Sequence, residues 1–328
     1  MKLTTTSILL VALAFSAYAA PKKPISPYAA TPHNTEGVFS PNPDYSSEFD
    51  GALNNDNFYI NEGTQAVWSL ERDNIQFKDG ILHIIADYAP KTLNNGKEFY
   101  LASGMVVSKE LTTYGYFEAR IKGADLWPGV CPAFWLTSGG TTPFKMSDQE
   151  NTITYSEVDI IEIQQIARDK NIMACNLHTG ALITDASGKK RVTRLSAGMV
   201  PKIGRNEFKV DWDAEDEYHI YACENRPDSI IFYIDNKRVA AKPNYYWHLP
   251  MFMKLSMGIR TPYESYKGGT RHALPVTAEE AAAAGFPTTT YVDYVRSYTR
   301  DYSTFKSNKK LFDRKEADYD PLNGGRKK

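Results

Sequence analysis

Cysteine is scarce in this chain: three among 328 residues, Cys131, Cys175 and Cys223. That excludes a disulfide-built scaffold, allows one bridge with a thiol left over, and matches no zinc-binding spacing. An excess of one charge is lacking too, with 38 Lys+Arg against 39 Asp+Glu and a net charge of -1. A nucleic-acid binder would show a basic excess, so that class is set aside. Long apolar runs are missing. The run from Ile8 to Phe15 is too short to anchor in a bilayer. It follows Lys2 and precedes Ala17-Tyr18-Ala19, which predicts a secretory signal peptide over 1–19, cut after Ala19 or Ala20. The expectation is a secreted or periplasmic protein with no membrane partner, long enough to bury a large core as one domain.

Helical periodicity is almost absent. Only 277–284 (TAEEAAAA) reads as helix, with Gly285 to stop it. What is present is a series of short segments alternating at period two. They are 66–72, 81–88, 102–109, 114–122, 132–138, 155–163, 173–178, 207–212, 219–223, 230–234, 251–258 and 290–298. Turn residues stand between them at Lys78-Asp79-Gly80, Asn94-Asn95-Gly96 and Asp235-Asn236. This pattern predicts an all-β fold of two packed sheets. Residues 20–44 are Pro-rich without periodicity and read as an extended segment. The domain proper is placed over 45–300. Residues 301–328 shift towards Lys, Arg and Asp and read as a solvated tail.

The sharpest local feature is Tyr155-Ser156-Glu157-Val158-Asp159-Ile160-Ile161-Glu162-Ile163-Gln164. On a flat strand Glu157 and Asp159 share one face, and Val158 and Ile160 share the other. Ile161 breaks the parity: strict alternation would expose it and turn Glu162 inward. One β-bulge at Ile160-Ile161 returns Glu162 to the acidic face. Three carboxylates in a row suit glycoside chemistry, where two carboxyl groups about 5–5.5 Å apart act as nucleophile and proton donor with retention. Glu157 is then the ionised nucleophile, oriented by Asp159. Glu162, kept protonated by mutual repulsion, is the proton donor and afterwards the base for water. A solvent-facing strand also alternates acids with apolar residues, but three acids and a parity break weigh against that alternative. A calcium cage needs six or more oxygens, which one rigid strand supplies poorly.

At these residues the chain resembles the family 16 glycoside hydrolases, whose signature is E-x-D-x-E or, with a bulge, E-x-D-x-x-E. The likeness extends through Ser103-Gly104-Met105, 114–123 and 128–136 before the acids, and through 230–235 and 292–296 after them. It covers 45–300. The resemblance implies a concanavalin-like β-jelly roll, a sandwich of two antiparallel sheets with a substrate cleft on the concave face. Within the family the chain is most similar to κ-carrageenases and related red-algal galactan hydrolases. Tyr155-Ser156, Asn244-Tyr245-Tyr246-Trp247-His248, Gly258-Ile259-Arg260-Thr261-Pro262 and Gly285-Phe286-Pro287-Thr288-Thr289 carry that likeness. It implies a monomeric enzyme cutting internal β-1,4 bonds of a sulfated galactan polysaccharide with retention, needing no cofactor for catalysis. It implies that Arg260 contacts a sulfate, that His178 binds sugar near the bond, and that Trp135 lies in the cleft. A structural calcium on the convex face occurs in the family, and Asp293 is a conceivable ligand. The stretch from Ser138 to Asn151, which holds Lys145 but no Arg, departs from the pattern, as does the stretch after His178. Such loops set substrate preference, so agarose, porphyran, furcellaran and β-1,3-glucan stay open. A lectin-like binder on the same fold would not need the acid set.

Aromatic rings stack on the flat C–H faces of sugars. Trp68, Trp135 and Trp247 are the candidates, with core packing as the alternative for Trp68 and Trp247. Trp127, in a loop before Pro128, is a candidate for one cleft end, and Trp212 alternates with Val210 and Phe208 as a core residue. Arg260 offers a fork suited to sulfate or carboxylate. Gln164 has the parity to reach substrate hydroxyls.

Overall fold

The computed structural model describes residues 38–308, apart from 51–52, 54–56, 140–152, 185–186, 196, 198–203 and 268–269, together with 319–320 and 325–326. The expected signal peptide, most of the Pro-rich segment, Lys145 and most of the charged tail lie outside the described residues.

The strands in the first third of the chain are β1 (Ser40–Pro41), β2 (Phe58–Ile60), β3 (Gly63–Gln65), β4 (Trp68–Leu70), β5 (Ile75–Lys78), β6 (Ile81–Thr92), β7 (Glu98–Ser103), β8 (Met105–Ser108) and β9 (Gly115–Lys122). Then come β10 (Val130–Thr137), β11 (Ile153–Glu162), β12 (Ile172–Ala174), β13 (Leu177–Thr184), β14 (Lys190–Leu195), β15 (Glu207–Lys209), β16 (His219–Asn225), β17 (Ser229–Ile234) and β18 (Lys237–Pro243). The last are β19 (Phe252–Ile259), β20 (Glu264–Lys267), β21 (Thr270–Ala273) and β22 (Thr288–Thr299), with the short pair β23 (Tyr319–Asp320) and β24 (Gly325–Arg326).

Two large sheets result. One runs β18-β17-β16-β9-β22-β6-β7-β4-β3, with β1 on β22 and β5 on β6. The other runs β14-β13-β11-β10-β19-β8-β2, with β12 joining β11 to β15. Pairing is antiparallel except between β4 and β7. Alternation explains how the sheets stack. Along β19, Met253, Leu255 and Met257 are buried in the core, which leaves Lys254, Ser256 and Gly258 on the outward face. Along β10, Phe134 and Leu136 point inward and Ala133, Trp135 and Thr137 share the other face. The core between the sheets is one continuous apolar cluster. The all-β jelly roll expected from the sequence is the fold observed.

The helix α1 (Ala278–Ala284) starts at Thr277, whose hydroxyl accepts from the Glu280 amide while the Glu280 carboxylate accepts from the Thr277 amide. Gly285 ends it at φ 110, in the left-handed region. Asp235 and Asn236, both at positive φ, turn β17 into β18, a return strand whose Lys- and Ala-rich sequence gives no apolar alternation. The expected strand over 207–212 is shorter, because only Glu207–Lys209 finds a partner. Trp212 leaves it, packs half-buried against the core and stacks on His219 with ring centroids 3.5 Å apart. The sheet begins before residue 45: Ser40 and Pro41 pair with Thr299 and Tyr298. The first residues of the tail are not simply solvated. Phe305 lies against the guanidinium groups of Arg226 and Arg300, and the Asn308 amide donates to the Pro227 carbonyl. Cys131, Cys175 and Cys223 are buried free thiols, so the bridge the sequence allowed does not form.

Candidate active site

The acid strand is β11, third in the nine-stranded sheet, between β13 and β10. Its register carries the predicted bulge. Glu162 faces Ala133 and Ile161 faces Phe134, but Trp135 faces Asp159, so Ile160 is the extra residue. Ile160 and Ile161 both enter the core, and Glu162 returns to the side of Glu157 and Asp159. The three carboxylates are nearly covered, at 7%, 5% and 7% exposure for Glu157, Asp159 and Glu162.

Each acid has its own partners. Glu157 accepts from the Tyr155 hydroxyl, which in turn accepts from Thr137 Oγ1 at 3.1 Å. His178 stands opposite Glu157 on β13; its Nε2 is 3.1 Å from Asp159 Oδ2 and 3.8 Å from Glu157 Oε1. Glu162 is ringed by donors: Gln165 Nε2 at 2.8 Å, Asn176 Nδ2 at 3.2 Å and Arg260 Nη2 at 3.2 Å. The Cys131 thiol is 3.9 Å from the same carboxylate.

Burial and the neighbouring charges of Glu162 and Glu157 push the Asp159 carboxyl up to about 7, against the opposing pull of His178. The repulsion expected within the acid triplet thus adds to burial at Asp159, the middle carboxyl. On His178 burial acts downward, but the hydrogen bond to Asp159 and the acid charges outweigh it and push the imidazole up to about 9. One contact favours the neutral ring instead. The Ala197 amide donates to Nδ1 at 3.2 Å, which suits a neutral ring whose Nε2–H points to Asp159, while the acid charges favour a second proton on the ring. Protonating Nδ1 would break the Ala197 contact.

The remaining predicted residues divide. Trp135 lies half-buried on the acid-bearing face, its Nε1 donating to Ser256 Oγ at 3.1 Å. Its ring carries the Lys254 ammonium 4.7 Å from the centroid, so that face is no bare platform. Trp68 is only 4% exposed, with the Arg260 guanidinium 6.0 Å over its ring. It supports Arg260 rather than offering a sugar a free face. Trp247 is fully buried: Nε1 donates to the backbone carbonyls of Glu157 (2.9 Å) and His178 (2.8 Å). It is therefore a structural pin beneath the acids and not a stacking residue. Gln164 is also corrected. The chain leaves β11 at Ile163 and Gln164 turns to φ 60, which aims its amide at the Ala124 backbone, accepting from its N–H (3.0 Å) and donating to its carbonyl (2.6 Å). Its neighbour Gln165 makes the contact with Glu162 instead. Trp127 lines a cavity of about 380 Å³ with Asp125, Arg168, Asp169, Lys170 and Glu215, just past the end of the acid strand.

Two side chains the sequence reading passed over, Thr137 and Lys254, share this face. Register gives the signal for both: Thr137 opposes Glu157 and Lys254 opposes Trp135.

Asp293 does not suit calcium. Its Oδ2 accepts from Arg120 Nη1 at 2.7 Å, and the guanidinium already supplies the positive charge. Among the described residues, Glu157, Asp159 and His178 form the one group of three potential metal ligands.

A two-sheet jelly roll with three convergent carboxylates on one outward face has the construction of a glycoside hydrolase domain. The comparisons make it particular: the model of the β-porphyranase A–D GH16 domain matches residues 39–300, and the chain belongs to that family. The κ-carrageenase of Pseudoalteromonas carrageenovora is 30% identical over 267 residues, 76% of this chain and 64% of that protein's length. The chain thus spans a little under two thirds of that relative. The crystal structure of the same κ-carrageenase with an oligotetrasaccharide of κ-carrageenan superposes with a TM-score of 0.70 at 27% identity, covering 86% of this chain and 100% of that one. β-Porphyranase E of Zobellia galactanivorans is 27% identical over 79% of this chain and 87% of its own length. No helix among the described residues is long and apolar enough to cross a membrane.

Proposed function

We propose that this chain is a secreted, monomeric, endo-acting glycoside hydrolase that cleaves internal β-1,4 linkages of a sulfated red-algal galactan with retention, κ-carrageenan first among them. The observation that carries the reading is the bulge at Ile160, which brings Glu162 and its Arg260 partner to the face that bears Glu157. Glu157 attacks the anomeric carbon while Glu162 passes a proton to the departing glycosidic oxygen. Glu162 then takes a proton from the water that opens the glycosyl ester. His178 positions Asp159 through Nε2–H, and the raised Asp159 carboxyl is only partly ionised near neutrality, which limits repulsion on Glu157. Arg260 supplies the cation for a sulfate; its buried Nε has no partner among the described residues.

The match to the β-porphyranase family model favours a second substrate, porphyran. Digestion of κ-carrageenan, porphyran and agarose with mass analysis of the products tests both. Sulfated oligosaccharides shrinking in size are expected from κ-carrageenan. Products from porphyran alone would move the assignment to the second reading, and no new reducing ends from any polymer would end the hydrolase reading.

A further inference from the structure

Arg260 is not alone on its side of the acids. On the outward face of β19, Lys254, Ser256 and Gly258 lead to it at every second position. Arg260 is engaged by Glu162. Lys254 is half-buried and makes no hydrogen bond or ion pair among the described residues; its contact is with the indole of Trp135. That indole is fixed by its bond to Ser256. Lys254 opposes Trp135, and Trp135 opposes Asp159. The ammonium therefore belongs to a strand two spacings, about 10 Å, from the acid strand. Glu157 acts on it electrostatically, while burial disfavours its charge. A partly buried cation whose anionic neighbour acts only at a distance has room for a second anion, since buried charges are ordinarily paired.

We propose that Lys254 and Trp135 form a subsite for a sulfate ester on a sugar unit beside the one being cut. The ammonium takes the anion as a point charge, and the indole beneath it holds the ammonium in place. This inference rests on the sulfated-galactan reading and adds a second anion contact to it, apart from Arg260. The competing role is that Lys254 only supports the charge of Glu157.

The test compares kcat and KM of the wild type, K254Q and K254R on κ-carrageenan and on the same polymer after chemical desulfation. In K254Q the ratio of kcat/KM between sulfated and desulfated polymer is expected to fall at least about tenfold, mainly through KM, and K254R recovers most of it. K254R also guards against a folding defect. An equal loss on both polymers, with the acid limb of the pH–rate profile displaced, overturns the subsite and makes Lys254 a partner of Glu157. A wild-type preference for the sulfated polymer that K254Q leaves intact overturns this inference alone. A wild type without that preference overturns the sulfated-galactan reading and this one with it.

Discussion

His178 Nε2 lies 3.1 Å from Asp159 Oδ2, and the contact ties β13 to β11 at the centre of the acid cluster. Asp159 titrates at about 7 in the fold against an ordinary 3.8, so the folded state holds its proton more tightly than the unfolded chain. The stability this gives is complete below about pH 3.8 and is lost as pH rises through about 7. Asp159→Asn removes the titration. The melting temperature of D159N relative to the wild type should therefore climb between about pH 4 and pH 8. Three units at 1.36 kcal/mol set an upper bound of about 4 kcal/mol on the change. A difference that stays flat across that range would remove Asp159 as the raised carboxyl.

In the proposed mechanism Glu157, the first carboxylate of the acid triplet, is the nucleophile. Glu157→Ser should lower kcat by at least about 10³-fold while leaving polysaccharide binding in place, because the fold and the neighbouring contacts remain. Binding is read by affinity electrophoresis in the polymer and turnover by reducing ends. Turnover within tenfold of the wild type would move the nucleophile elsewhere.

Arg260 touches Glu162, so its loss has two components. Arg260→Ala should reduce cleavage of neutral agarose by disturbing the acid, and cleavage of sulfated polymer by a further factor of about 10–100, the worth of a charge-assisted contact. Parallel rates on the two polymers give the ratio. An unchanged ratio assigns Arg260 to Glu162 alone.

The acid strand was legible because its signal is local. A parity break inside Glu157–Glu162 has one inexpensive repair, a bulge, and the structure makes it at Ile160. α1 was legible for the same reason, since its cap and its stop lie within nine residues. Gln164 was misread because parity holds only while the chain stays in the sheet, and the turn after Ile163 ends it. Trp247 and Trp68 were misread because an aromatic side chain in a β-protein serves the core as readily as a ligand, and only the tertiary fold says which. Lys254 was invisible: its meaning comes from standing opposite Trp135 across more than a hundred residues of chain. The strand β18 had no apolar pattern to find, and only its hairpin partner holds it in the sheet.

Trp247 separates a structural from a substrate role. Its indole N–H is shared by the carbonyls of Glu157 and His178, which face each other across β11 and β13. Trp247→Phe keeps most of the buried ring but leaves both carbonyls without that donor, a loss of about 1–3 kcal/mol. For a domain of this size the melting temperature should fall by about 2–4 °C per kcal/mol. With its two anchor points loosened, the acid cluster should lose alignment, so kcat should drop while KM for the polymer stays near the wild-type value. A raised KM with unchanged melting temperature would instead return Trp247 to the substrate.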